Sequence, residues 1–152
     1  MAHQTEYPDT RAAGYPGMLS DTGHYDNDSM TVVTADVPFG TFAAYGAADR
    51  TCRPLAAGDT SIAGAAIRVQ GGTSSGNTSL SADEVDRYVV GDTASIMKKG
   101  RMYVKVTTAA VVAGDEAFAV IADSSAAKAG DIEVGIFETS AAVGEIAVVR
   151  IT

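Results

Sequence analysis

The sequence predicts an all-β fold, a compact antiparallel β-barrel or sandwich of about eight short strands preceded by an extended N-terminal arm. Three observations predict it. Short apolar and β-branched runs recur from residue 31 to the end, each too brief for a helix. Turn signals separate them, five times as a glycine followed by an acid: Gly58-Asp59, Gly91-Asp92, Gly114-Asp115, Gly130-Asp131 and Gly144-Glu145. Met102, Val104 and Val106 alternate with Tyr103, Lys105 and Thr107, the period-two pattern of a half-buried strand.

Residues 1–30 stand apart. They hold Pro8, Pro16, Gly14, Gly17 and Gly23, three scattered tyrosines (Tyr7, Tyr15, Tyr25) and no sustained period. Low hydrophobicity with Pro and Gly is the composition of a tail. A tail that only solvates has no use for Met18 and Leu19, so 1–30 is expected to be an arm, extended when free and ordered against a neighbour. A tail folded over its own domain is the other reading. The domain proper is expected over 31–152.

Within that domain, residues 31–34 and 39–45 read as strands, 56–59 as a turn, and 60–69 as a strand interrupted at Gly64. Residues 70–81 are rich in Gly, Ser, Thr and Asn and read as an exposed loop. Ser81 and Glu84 have capping-box spacing, though 85–90 returns to strand character. Residues 93–97 and 102–107 are expected to pair as a β-hairpin turning at Lys98-Lys99-Gly100, because Gly100 accepts a positive φ at no steric cost. Residues 117–122, 132–137 and 145–151 complete the strands. In the Gly-acid turns the glycine supplies the awkward φ, and the carboxylate can accept local backbone N–H groups. The Ala-rich 108–113 is not read as a helix, because Val111, Val112 and Gly114 weaken that.

The chain has 152 residues, a formal net charge of −8 and a pI near 4.5. Such a field repels nucleic acid unless a local basic patch overrides it. The nearest thing to one is Lys98, Lys99, Arg101 and Lys105. Cys52 is the single cysteine, so an internal disulfide and a Cys-based zinc cluster are excluded, and a buried small apolar role is its default. The first fifteen residues have no signal-peptide core, and no stretch approaches a membrane span; a protein made in the cytoplasm is expected, with no membrane partner. Many apolar positions are alanine, a thin core that points to added stability from self-association or a larger partner.

A search for chemistry returns little. Asp21-Thr22-Gly23 resembles the tripeptide around aspartic-protease carboxylates, but such enzymes need two carboxylates sharing a proton, and a turn is the plainer reading. Asp21, Asp26 and Asp28 form an acidic cluster, of which Asp26 and Asp28 match only the first spacing of a calcium loop. His3 and His24 do not make a zinc site. There is no Gly-x-Ser-x-Gly elbow, and Gly71-Gly72-Thr73-Ser74-Ser75-Gly76 lacks the lysine of a phosphate loop. No enzyme activity, cofactor or metal is expected.

Taken in order, certain stretches resemble the capsid cement (decoration) proteins of tailed bacteriophages. They are Tyr15-Pro16-Gly17-Met18-Leu19-Ser20-Asp21, Pro38-Phe39-Gly40, Gly58-Asp59 ahead of Gly64, and Tyr88-Val89-Val90-Gly91-Asp92. Ile96-Met97-Lys98-Lys99-Gly100-Arg101-Met102-Tyr103-Val104, Ala113-Gly114-Asp115 and Ala147-Val148-Val149-Arg150-Ile151 follow. The insert at 71–81 departs from the pattern. The resemblance implies a virion protein on the capsid's outer surface that bridges neighbouring major capsid protein subunits and resists DNA pressure. It also implies a symmetric oligomer, with a homodimer favoured over a trimer. Tyr7, Tyr15, Pro16, Met18, Leu19, Lys98, Lys99 and Arg101 are the expected capsid contacts. The alternative is a small ligand- or carbohydrate-binding β module, which would need Tyr88 and Tyr103 clustered on an open face.

Overall fold

The computed structural model describes residues 14–20, 23–68 and 87–152. Among these are eleven strands and no helix, three more strands than the short runs suggested. They are β1 (Asp26–Val32), β2 (Val37–Pro38), β3 (Phe42–Tyr45), β4 (Thr51–Pro54), β5 (Gly64–Ala66) and β6 (Arg87–Tyr88). After these come β7 (Thr93–Lys105), β8 (Glu116–Ala119), β9 (Ala126–Ala127), β10 (Ile132–Phe137) and β11 (Ile146–Ile151). The loop 71–81 and the Ser81–Glu84 capping box lie outside the described residues.

The expected hairpin at 93–107 is not formed. Thr93–Lys105 is one continuous strand of 13 residues. Neighbours on both sides use the backbone of the supposed turn: Asp26 of β1 pairs with Lys99, and Ile151 of β11 pairs with Gly100. Gly100 does hold a positive φ, 143°, but inside the strand. A Cβ there would meet Met97 Sδ at 2.7 Å and Tyr25 Cβ at 2.9 Å. Ala94, Ile96, Gly100, Met102 and Val104 are buried, Met97 is buried in the opposite phase, and the pairing with β1 steps past Lys98, so the lysines carry a register irregularity within a continuous strand.

This long strand organises the molecule, because two rings share it. In the first, the sheet order β1-β4-β3-β5-β7 closes through direct pairing of β1 with β7. Only β1 and β4 run parallel. In the second, the order β7-β11-β10-β8-β9 is closed by a bridge from Val106 to Ala126. Each ring has its own core. Met30, Val32, Ala43, Cys52, Ala66, Ala94 and Ile96 pack with Phe39 and Tyr88 in the first. Met102, Val104, Ala117, Ala119, Val134, Phe137, Ala147 and Val149 fill the second. The alanines that looked like a thin core suit this geometry: a five-stranded ring is narrow, and small side chains facing large ones fill it without strain. Phe42, Ala65 and Met97 point away from the first interior and join the second ring's cluster. They and Ser124, whose carbonyl accepts the Phe42 N–H at 2.8 Å, seat one ring on the other.

Four of the five Gly-acid turns share one construction. At 56–59, 89–92, 112–115 and 142–145 the acid's own N–H donates to the carbonyl three residues back, at 3.0–3.1 Å. Its carboxylate accepts the N–H of that same earlier residue at 2.7–3.1 Å. The glycines hold φ between 90° and 99°, as the third residue of a type II turn requires. Gly130-Asp131 differs: Asp131 reaches across to the Ile121 N–H.

Asp59 is also held by both guanidinium nitrogens of Arg53 at 2.9 and 2.7 Å, and this, then the Ala56 N–H, pulls its carboxyl below the usual carboxylate range. Asp28 is likewise lowered, chiefly by Lys98. A carboxylate whose folded-state pKa is depressed stabilises the fold fully above its unfolded value, and that contribution is lost as pH falls through the folded value. The melting temperature is therefore expected to hold from neutral pH to about 5 and to fall below about pH 4. Asp59→Asn is expected to cost about 1–2 kcal/mol at neutral pH and to flatten part of the acid slope. Thermal unfolding followed across pH checks both.

Candidate interaction surface

The N-terminal segment is fixed by a turn that its sequence specifies. In Tyr15-Pro16-Gly17-Met18, Pro16 and Gly17 stand at the second and third positions of a type II turn. Gly17 has φ 83°, and the Met18 N–H donates to the Tyr15 carbonyl at 3.0 Å. The segment then pairs with β7. The Gly17 N–H donates to the Tyr103 carbonyl, the Tyr103 N–H to the Met18 carbonyl and the Ser20 N–H to the Arg101 carbonyl, at 2.8–3.1 Å. Leu19 lies opposite Met102 and packs on the second core.

Gly17 rests directly on Gly40. A Cβ on Gly17 would sit 2.9 Å from the Gly40 nitrogen, and one on Gly40 would sit 2.7 Å from the Gly17 nitrogen. Two of the stretches that carried the sequence resemblance, around Pro16-Gly17 and Phe39-Gly40, thus meet in space. Arg68 lies over the rings of both Tyr15 (5.5 Å) and Phe39 (5.2 Å), and Phe39 meets Tyr88 edge-on at 4.9 Å.

Segment 17–20 and β1 run in the same sense along β7, one after the other. From Leu19 opposite Met102 to Asp26 opposite Lys99, the N-terminal chain uses seven steps where β7 uses three. Just ahead of β1, His24 and Tyr25 are exposed, and Tyr25 Cβ stands where a Cβ on Gly100 would meet it at 2.9 Å.

These facts sort the expected contact residues. Tyr7 lies outside the described residues. Tyr15 is 68% exposed. Pro16, Met18 and Leu19 are half-buried against the protein's own body, and β1 begins at Asp26, so a boundary at residue 30 falls inside a strand. Lys98 is paired with Asp28 at 3.1 Å, and Arg50 stands 3.5 Å from the same carboxylate. Lys99 is exposed. Arg101 Nε meets Glu138 Oε2 at 2.6 Å, and Arg150 Nε lies 3.6 Å from the other oxygen.

Arg150 was not among the residues picked out from sequence. It is directly opposite Arg101 in the β7–β11 register, a long-range pairing with no local signature. Gly23 and His24 ahead of β1, Lys99, Gly100 and Arg101 of β7, and Arg150, Ile151 and Thr152 at the end of β11 line an open groove of about 460 Å³.

The other chemical readings find no support in these positions. Tyr88 is buried, its hydroxyl donating to the Ile67 carbonyl at 2.6 Å. Tyr103 is half-buried beneath Gly14. The open aromatic face that the ligand-binding alternative needed is therefore not formed by this pair. Cys52 is fully buried, and burial pushes its thiol up to about 11. Asp21 and Thr22 lie outside the described residues. Among the described residues no group of three or more His, Cys, Asp or Glu is placed to hold a metal ion, and no helix is long and apolar enough to cross a membrane.

Comparison with known proteins follows the same direction. A family model of phage cement proteins, described as "Structural cement protein (E217 gp24/Pam3 gp6)", matches residues 3–152. Among solved structures, a chain from "The capsid of Myoviridae Phage XM1" is similar over 99% of this chain and 97% of that one. The two are 21% identical with a TM-score of 0.65, a likeness of fold. No curated protein matches.

Proposed function

Because the chain belongs to the phage structural cement protein family, we propose that it binds the outer surface of the assembled capsid and bridges neighbouring major capsid protein subunits against the pressure of packaged DNA. It is a structural component of the capsid, and its place is the virion. The family match, which covers almost the whole chain, carries this reading.

Many modest contacts repeated over a shell suit such work, since each bridge makes the next contact effectively intramolecular. A body built of two closed rings presents few unpaired strand edges to its neighbours. The protein works without catalysis and without a cofactor, as a homodimer or a trimer. Tyr15, Lys99 and Arg101 are the contact residues that face outward enough to serve.

The test is attachment of the purified protein to expanded capsids that lack it. Saturable binding with a rupture temperature raised by several degrees is expected. No attachment, or attachment that leaves rupture unchanged, overturns the reading. Deleting residues 1–13 leaves the latch at 15–18 in place; it is expected to lower occupancy while the melting temperature of the free protein holds.

A further inference from the structure

We infer that an uncharged face just beyond the end of β7, built from residues 106–114 and 139–144, is where two copies of this chain meet about a two-fold axis. The inference deepens the oligomer of the capsid-binding reading above. Charged residues make up 20% of the chain, and its net charge is −8. Val106 to Gly114 is nevertheless nine residues without a charge, and Thr139 to Gly144 is six. The fold sets these two runs side by side. Val111 and Ala141 exchange both backbone hydrogen bonds, at 2.9 and 3.1 Å, and the Gly144 N–H donates to the Val106 carbonyl at 2.8 Å.

What the two runs show to solvent is largely apolar. Val111 and Ala141 are buried at their bridge, while Val112 is 61% exposed and Val143 55%. Ala110, Ala113 and Ala142 are exposed with them. The bridge is antiparallel, so Val112 and Val143 lie to either side of it and widen the patch. The acids that close the two turns are folded back onto their own backbone: Asp115 accepts the Val112 N–H and Glu145 the Ala142 N–H, each at 2.9 Å. Apolar surface gathered in this way marks an interaction site.

Charge selects the partner. Two bodies of net charge −8 repel wherever their acidic surfaces face each other. A face without charges is where one copy approaches another against the least opposition, with no ion to desolvate. The face is also matched to itself. Thr107-Thr108-Ala109-Ala110-Val111 and Thr139-Ser140-Ala141-Ala142-Val143 are nearly one string. A two-fold operation therefore sets small apolar and hydroxyl groups on others of the same kind, as an isologous contact requires. At the usual area per interface residue the patch buries about 400 Å² per copy. Such a contact is weak in free solution and gains its effect on a shell, where neighbouring copies are already held close.

The experiment uses the full chain in sedimentation equilibrium, at rising protein concentration and at low and high salt. The parent is expected to dimerise reversibly, and several-fold more tightly at high salt, where repulsion between the acidic bodies is screened. Two double variants are made, Val112→Glu with Val143→Glu and Val112→Lys with Val143→Lys, and thermal unfolding checks that each folds like the parent. Each is expected to weaken dimerisation at least tenfold. Loss with either sign separates this face from the overall charge, which the two variants shift in opposite directions. An equimolar mixture of the two is expected to recover the parent's dimerisation, because a Glu-bearing face then meets a Lys-bearing one. Where a charged variant unfolds, Val112→Ser with Val143→Ser is expected to weaken dimerisation several-fold by removing the apolar surface alone.

A parent that stays monomeric at every concentration and salt overturns the inference, as does one that forms a trimer. So do folded variants that dimerise as the parent does, or a mixture that fails to recover. Variants that keep dimerisation but no longer attach to expanded capsids assign the face to the capsid protein and overturn it equally. The dimer is read without capsids, so a parent that dimerises as expected and yet never attaches to them overturns the cement reading and leaves this contact standing.

Discussion

Replacing Phe42 by alanine is expected to lower stability by about 3–5 kcal/mol, enough to remove much of a domain's margin. Phe42 is fully buried and sits on β3 of the first ring, yet it belongs to the core of the second, alongside Met97, Val104 and Phe137. Truncation leaves a cavity at the seam between the rings, where both sides are closed ladders that resist collapse. The backbone around it is pinned as well, since the Phe42 N–H is bonded to the Ser124 carbonyl at 2.8 Å. Poor collapse places the cost towards the top of the range. Chemical denaturation should show a lower midpoint; a change below about 1 kcal/mol would mean that the rings do not depend on this contact.

Gly17→Ala is expected to release the N-terminal segment. The new methyl group must tolerate φ 83° and also meet the Arg68 nitrogen, the Gly40 nitrogen and Phe39 Cβ, each at 2.9 Å. All three lie in the backbone or at its first side-chain atom, so none can swing aside. Positive φ and overpacking together cost about 2–4 kcal/mol, comparable to what the three backbone hydrogen bonds to Arg101 and Tyr103 contribute at about 1 kcal/mol each. The segment opens before the rings do. Amide exchange should accelerate at Gly17, Ser20 and Tyr103, with protease cutting ahead of β1, while Val104 and Val149 keep their protection. Gly17→Ala with unchanged exchange would remove the latch from the account.

Both expectations rest on features that the sequence discloses unevenly. Strand character was legible in the alternation around Met102 and in the Gly-acid turns, because those signals are local: four of the five carboxylates do bond their own turn's backbone. The continuity of β7 was not read, because Lys98-Lys99-Gly100 has the composition of a turn. The phase that survives from Ala94 to Met102 was the available clue, and what settles the matter is non-local pairing with Asp26 and Ile151. Ring closure likewise depends on β1 meeting β7.

The candidate surface follows the same rule. Lys99 and Arg101 were visible as a basic run, but Arg150 and Glu138 join them only through register. From composition, Tyr15-Pro16-Gly17-Met18 belongs to an arm that orders against a neighbour or folds over its own domain, and its Pro-Gly order, the mark of a type II turn, identifies the second once Gly40 is seen to face it.

The sharing of β7 also bears on how the chain is made. Every strand of the first ring except one is synthesised before residue 93, so that ring has no means of closing until β7 has been made. The second ring comprises contiguous sequence from β7 onward, with contacts nearer in the chain, but it too waits for its last strand, because β11 lies between β7 and β10. The strands synthesised first therefore stay open-edged, and in need of protection from their neighbours, until β7 is made to close them.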